Sequence, residues 1–319
     1  MLQQWTSSSA LALFAAVSLF GCAQAADSAF ADDASEDESG TAKQAILDGT
    51  SATHPKFGAV GALVYSFEEF GVVDVFCSAT LVAPGAVVTA RHCGPSIDAA
   101  AELGVTAAFA LGPDAFVPTE LIPITGYVAA PAGGPGNGLL QDGGRDVAVA
   151  YLESESTTAT PAKLGLFHKH MLRDKFQIAG YGVSDSLGTY GQRFAGPATA
   201  RALKGRWYEL LFRGNYRAYL DWYFNDSPSA EPSFAEAKEW WKTFRLETNY
   251  ELLAGGLRGE AVACNGDSGG PLLRGTKPSN MTVYGVSFAV EASIANICDL
   301  GGGYLVFNHK MLNFVRDAL

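Results

Sequence analysis

The chain has 319 residues and sets 22 Lys and Arg against 33 Asp and Glu, a formal net charge of −11 at neutral pH. That balance, with no clustered basic stretch, excludes the electrostatic footprint of a nucleic-acid or anionic-lipid binder. A hydrophobic fraction of 48% and 36 glycines suit a globular chain of short strands and many turns.

The first element is an apolar run from Ala10 to Phe20, ending in Leu19-Phe20-Gly21-Cys22. It is too short for a spanning helix and predicts a removed signal over residues 1–21. The ending resembles a bacterial lipoprotein box, which implies a lipid on Cys22 and a membrane tether. Two features oppose it: Met1 to Ser9 carries no Lys or Arg, and Ala23-Gln24-Ala25 offers a competing cleavage after Ala25 that releases a soluble, secreted chain. Either route exports the protein. Residues 22–45 then place Asp27, Asp32, Asp33, Glu36, Asp37 and Glu38 among Ala, Ser and Gly, the composition of a solvated tether or propeptide.

From Ile46 to Leu319 the pattern is that of one β-rich domain with an insertion. Strands are predicted over 58–65, 72–82, 86–90, 146–152, 176–180 and 283–289, broken by Gly, Pro and Asp. Helical periodicity is concentrated at the C-terminus, where Met311, Leu312, Phe314, Val315 and Leu319 share a face after an Asn308 cap. Residues of about 205–247 are rich in rings, and Ser233-Phe234-Ala235-Glu236 reads as a capping box opening a helix that carries Trp240 and Trp241. The rings read first as the insertion's own small core. Interleaved Arg206, Arg213, Arg217, Lys238 and Lys242 leave a contact surface as the second reading. His168 and His170 could share a strand face, but no cysteine or carboxylate cluster accompanies them, so no metal is expected.

The chemistry concentrates in Cys264-Asn265-Gly266-Asp267-Ser268-Gly269-Gly270-Pro271. Small residues around one serine let backbone amides, those of Gly266 and Ser268, converge on a developing oxyanion. A serine alone is a weak nucleophile and needs a base with an orienting partner. His92 in Thr89-Ala90-Arg91-His92-Cys93 and Asp146 at the head of Asp146-Val147-Ala148-Val149 are the candidates. Cys77 and Cys93 flank two strand candidates joined at Pro84-Gly85, so a hairpin could bring them together beside His92.

The order His, Asp, Ser and these three motifs resemble the chymotrypsin/trypsin-like serine proteases. The resemblance implies an all-β fold of two antiparallel six-stranded barrels with a C-terminal helix, and a serine endopeptidase acting through an acyl-enzyme on protein or peptide substrates. It needs no cofactor. It implies disulfides Cys77–Cys93 and Cys264–Cys298, leaving Cys22 unpaired. It places the pocket floor six residues before the nucleophile, at Val262, with Ala263 beside it, and the substrate-pairing strand at Ser287, Phe288 and Ala289. A valine floor cannot pair with Lys or Arg, so an apolar residue before the scissile bond is expected. The resemblance further pairs a new N-terminus at Ile46 with Asp267, yet Ala45 precedes the cut and Asp48 stands where the family has glycine. Other departures are Arg91, in place of a small residue, and the long interval from Gly182 to Cys264 that holds the insertion. The rival reading is a non-catalytic, protease-like binding protein that uses the ring-rich insertion; an esterase with the same nucleophile is a third. Oligomeric state is not legible.

Overall fold

The computed structural model describes residues 46, 49–132, 145–184, 188–226, 232–291, 298 and 300–319. The predicted signal, Cys22 and the acidic stretch to residue 45 lie outside the described residues, and no described helix is long and apolar enough to cross a membrane.

A two-residue strand, β1 (Thr50–Ser51), precedes the first barrel. That barrel is made of β2 (Val60–Phe67), β3 (Gly71–Ala83), β4 (Ala86–Thr89), β5 (Thr106–Leu111), β6 (Glu120–Ala129) and β7 (Ala148–Leu152), closed in the order β2-β3-β4-β7-β6-β5. Its strands are short and β-branched or alanine-rich, and Val87, Val88, Val149 and Ala150 are all buried, so both faces of β4 and β7 are covered. Ala62, Ala79, Ala108 and Ala110 are also fully buried, and their small side chains let the cylinder close tightly.

The second sheet contains β8 (Lys163–Leu164), β9 (Lys175–Gly180) and β10 (Phe194–Ala202). After a two-stranded ribbon, β11 (Gly205–Arg206) with β12 (Arg245–Leu246), it continues through β13 (Glu251–Ala254), β14 (Pro271–Arg274), β15 (Thr282–Val290) and β16 (Gly302–Val306). Its path runs β10-β13-β16-β15-β14-β9, and β9 also pairs β10, so six strands form a ring; β1 and β8 add to its rim. The chain therefore has the expected all-β, two-barrel architecture of the chymotrypsin type. The barrels are locked together by buried polar groups. Arg193 donates from Nε to the Ala52 carbonyl at 3.0 Å and from Nη1 to the Val60 carbonyl at 2.9 Å. The Tyr181 hydroxyl also bonds the Val60 carbonyl, at 3.0 Å. Buried donors of this kind cost stability unless every one finds an acceptor, so they fix one relative placement of the barrels.

Among the described residues five α-helices complete the domain. The first, α1 (Gly94–Leu103), follows His92 directly and ends at Gly104, whose φ of +68° is the left-handed conformation of a C-terminal cap. Helices α2 (Trp207–Leu211), α3 (Tyr216–Asn225) and α4 (Phe234–Thr243) form the insertion, and α5 (His309–Asp317) closes the chain. As expected, the Asn308 side chain caps α5, accepting from the Met311 amide at 2.9 Å, while Met311, Leu312 and Val315 are buried. The Ser233 hydroxyl caps α4 through the Glu236 amide, but the Glu236 carboxylate accepts from the Tyr223 hydroxyl, which ties α4 to α3. The insertion's rings do make their own core: Trp207, Tyr208, Tyr219, Trp222 and Tyr223 are buried together, while the basic residues between them are exposed. His168 and His170 stack at 5.1 Å across a single 3-10 turn instead of lying on a strand.

Both expected disulfides are present, Cys77–Cys93 closing 16 residues and Cys264–Cys298 closing 34. In the chain-entropy account they contribute about 3 and about 4 kcal/mol. Replacing Cys77 and Cys93 together by serine is expected to lower unfolding free energy by about 3 kcal/mol, read from full urea unfolding curves. A loss below about 1 kcal/mol would show that the bridge restrains the unfolded chain little.

Candidate active site

Strands β4 and β7 are neighbours, with Thr89 opposite Ala148, so the residues just beyond Thr89 and just before Ala148 meet at one end of the first barrel. There His92, on the turn Arg91–Cys93, faces Asp146. The Asp146 carboxylate is buried; its Oδ2 lies 2.6 Å from His92 Nδ1 and its Oδ1 accepts from the His92 backbone amide at 2.9 Å. A carboxylate at Nδ1 selects the tautomer with its proton there, which leaves Nε2 with a lone pair. The imidazole is about one-third exposed, so that lone pair is reachable. Arg91, the departure noted beside His92, has a structural use. Its Nη1 donates to the Ala130 carbonyl at 3.0 Å, and the Ala130 amide in turn bonds the Val147 carbonyl at 2.9 Å, joining the two supports of the pair.

Ser268 reaches the same place from the other barrel. The Ser268 carbonyl accepts from the Ser78 amide of β3 at 2.8 Å and lies 3.9 Å from Cys93 Sγ. The sulfurs of Cys77 and Cys93 and a ring nitrogen of His92 lie within 4.8 Å of one another, so the Ser268 backbone packs against the disulfide that adjoins His92. Because both sulfurs are joined in a disulfide, this group has no thiolates to offer a metal. On its other side the loop is bonded to β15: the Gly269 amide donates to the Ser287 carbonyl at 2.7 Å and the Ser287 amide to the Gly270 carbonyl at 2.8 Å. Among the described residues the Ser268 hydroxyl is not hydrogen-bonded to His92, a contact that commonly tightens only when substrate arrives.

The loop's backbone shows which amides are used. Asp267, Gly269 and Gly270 all donate to carbonyls, whereas among the described residues the amides of Gly266 and Ser268 have no acceptor. Gly266 has φ +91°, and its carbonyl accepts from the Ser78 hydroxyl at 3.1 Å, which turns it toward the first barrel. Two half-buried backbone donors thus stand without acceptors on either side of Asp267. A cleft of 240 Å³ opens beside them, lined by Asp74, Val75, Phe76, Gly182, Val183, Tyr190, Asn265 and Gly266.

Asp267 is fully buried and accepts from the Gly182 amide at 2.8 Å and the Cys264 amide at 2.8 Å. Burial raises its pKa to about 7, and these two amides pull it back only in part. A Cβ on Gly182 would stand 2.6 Å from the Asp267 nitrogen, so glycine there is what admits the carboxylate. Ile46 is also buried, but among Phe167, Phe176 and Ile178; in the uncut chain its nitrogen is a peptide amide, and the described partners of Asp267 are the two amides alone.

The remaining predicted residues gather on the far side of the loop. Val262, Ala263, Ser287 and Phe288 are buried and Ala289 half-buried. Ala289 pairs with Gly303, and a Cβ on neighbouring Gly302 would come 3.6 Å from the Ala263 Cβ, so the glycines that open β16 let it lie close to Ala263 and Ala289. Sequence reasoning missed Ser78 and Thr89, which support the loop from behind; the Thr89 hydroxyl bonds the Ser78 carbonyl at 2.8 Å. The available signal was a serine and a threonine inside otherwise apolar β-strand sequence.

A family model described as Trypsin matches residues 46–208. In sequence, no curated protein matches the chain. Among solved structures the chain is similar to neuropsin, a serine protease expressed in the limbic system of mouse brain, with a TM-score of 0.54 over 84% of this chain and 97% of that one. Identity is 16%, so this likeness is one of fold. The family match spans just over half of the chain, from the buried Ile46 through His92 and Asp146 into the insertion, and with the double barrel it places this protein in the trypsin family, as a trypsin-like serine protease domain.

Proposed function

We propose that the protein is a serine endopeptidase in which Ser268, His92 and Asp146 act as a triad. The observation that carries the reading is the 2.6 Å His92–Asp146 contact beside a serine whose loop presents two amides without acceptors. His92 Nε2 takes the Ser268 proton as Oγ attacks the scissile carbonyl, and the imidazolium is stabilised by Asp146. The carbonyl oxygen, now negative, accepts from the Gly266 and Ser268 amides. His92 then gives its proton to the leaving amine, the C–N bond breaks, and an acyl-Ser268 ester remains. Water, deprotonated by His92, hydrolyses that ester and restores the hydroxyl. The acyl side of the substrate lies along Ser287–Ala289, and the leaving side departs over Gly266 into the adjoining cleft.

Val262 at the pocket floor supplies no charge for Lys or Arg, so small or medium apolar residues are favoured before the scissile bond. The export signal and the two cysteine pairs fit an enzyme working outside the cytoplasm, tethered through lipid on Cys22 or released after Ala25. Cleavage before Ile46 would create an amine able to reach Asp267.

A fluorophosphonate probe tests the reading on the full chain and on a form starting at Ile46. Labelling is expected at Ser268 and is expected to vanish in Ser268→Ala. Absence of labelling in both forms would favour the non-catalytic binding protein instead. Strong selection of Arg or Lys in a peptide library would overturn the apolar pocket.

A further inference from the structure

Among the described residues the insertion meets the chain just after β15, at Glu291, and just before β16, at Leu300. Glu291 follows Val290 at the end of β15, directly after the Ser287–Ala289 edge. The Trp207 indole, fully buried at the start of α2, donates from Nε1 to Glu291 Oε1 at 2.7 Å, and the Tyr208 side chain lies close to the same carboxylate. At the other end, Leu300, between Cys298 and β16, packs against the insertion's ring core. Arg201 of β10 reinforces that end. Its Nη1 donates to the Leu300 carbonyl at 3.2 Å and to the Gly255 carbonyl at 3.0 Å, while its Nη2 donates to the Leu210 carbonyl of α2 at 2.9 Å.

The geometry points to a use for the insertion: its core is a buttress for the substrate-pairing edge, and Glu291 is the positioning residue through which Trp207 and Tyr208 hold Ser287–Ala289 in place for an extended peptide. This rests on the endopeptidase reading above. Three features support it. The carboxylate takes the buried Trp207 indole N–H directly, with the Tyr208 side chain next to it. Burial raises its pKa to about 7 despite those hydrogen bonds, so the site keeps an acid where an apolar side chain would be easier to hold. The nucleophile loop, by contrast, is anchored by Ser78 and Ser287 and touches the insertion nowhere in these hydrogen bonds.

The test compares KM and kcat for a peptide spanning several residues on each side of the cut, with the rate of labelling by a small fluorophosphonate as the readout of Ser268 itself. Glu291→Ala is expected to raise KM about 10-fold or more while kcat and the labelling rate change less than about 3-fold. Glu291→Gln keeps an acceptor for the Trp207 indole and is expected to restore KM to within about 3-fold of the original. Trp207→Phe should raise KM as Glu291→Ala does, and the double variant should be no worse than Glu291→Ala alone, because both break one link. Arg206→Ala, at the exposed Arg206–Glu209 ion pair of the same helix, serves as the control and should leave KM unchanged. An unchanged KM in Glu291→Ala, additive losses in the double variant, or equal losses of peptide cleavage and labelling would overturn the inference. Failure of the unaltered protein to label would instead overturn the endopeptidase reading.

Discussion

Replacing Asp146 by asparagine is expected to lower kcat about 10⁴-fold while leaving the fold intact. The reason lies in which oxygen does what. Oδ1 accepts from the His92 backbone amide and must remain an oxygen, so the new NH₂ is forced toward Nδ1, where Oδ2 now sits at 2.6 Å. Imidazole Nδ1 would then accept, its proton would move to Nε2, and the base facing Ser268 would have no lone pair to use. Far-UV circular dichroism and the melting temperature should stay close to those of the unaltered protein, since size and one of the two hydrogen bonds are preserved. A loss below about 10-fold would mean that His92 takes its orientation from elsewhere.

Gly269→Ala should be nearly as damaging, through geometry alone. Gly269 has φ +81°, which a residue with a side chain adopts only at a cost of roughly 1–2 kcal/mol. The added methyl would also stand 2.1 Å from Thr89 Oγ1 and 2.3 Å from the Ser78 carbonyl, inside both van der Waals shells. The strand and its buried hydrogen bond cannot retreat, so the loop must, and Ser268 moves with it. A displacement of about 1 Å at a reacting atom is enough for about a 100-fold loss. Peptide hydrolysis is therefore expected to fall more than about 100-fold, with a lower urea midpoint; near-normal turnover would show that the loop's position is not what aligns the nucleophile.

Much of this fold is legible in the sequence. The runs around Val64, Val87, Val149, Ile178 and Val286 became strands because β-branched and apolar residues lie between Gly, Pro and Asp breaks, and their burial followed. His92, Asp146 and Ser268 stood out because each sits in a distinctive local setting. Helix α1 was less visible. Gly94-Pro95 reads as a break, although proline is tolerated in a helix's first turn, and Gly104 marked the stop. The contacts that fix the site are harder still, since they join residues remote in sequence: Ser78 with Gly266, Gly182 with Asp267, Trp207 with Glu291. Each is an ordinary polar residue or glycine until the topology brings its partner. The use of Arg91 likewise depended on where the Ala130 carbonyl came to rest.

Ser268 belongs in sequence to the later barrel, yet its carbonyl hangs from an amide of the earlier one and its neighbour Gly269 from β15. On the proposed mechanism the reaction would be shared: cut the polypeptide between the barrels and the half bearing the hydroxyl would lose both its proton acceptor and one of the tethers that aim it. On that mechanism reactivity would require the two cylinders to be docked, which would make the buried Arg193 and Tyr181 bonds between them as much a condition of turnover as any group that meets the peptide.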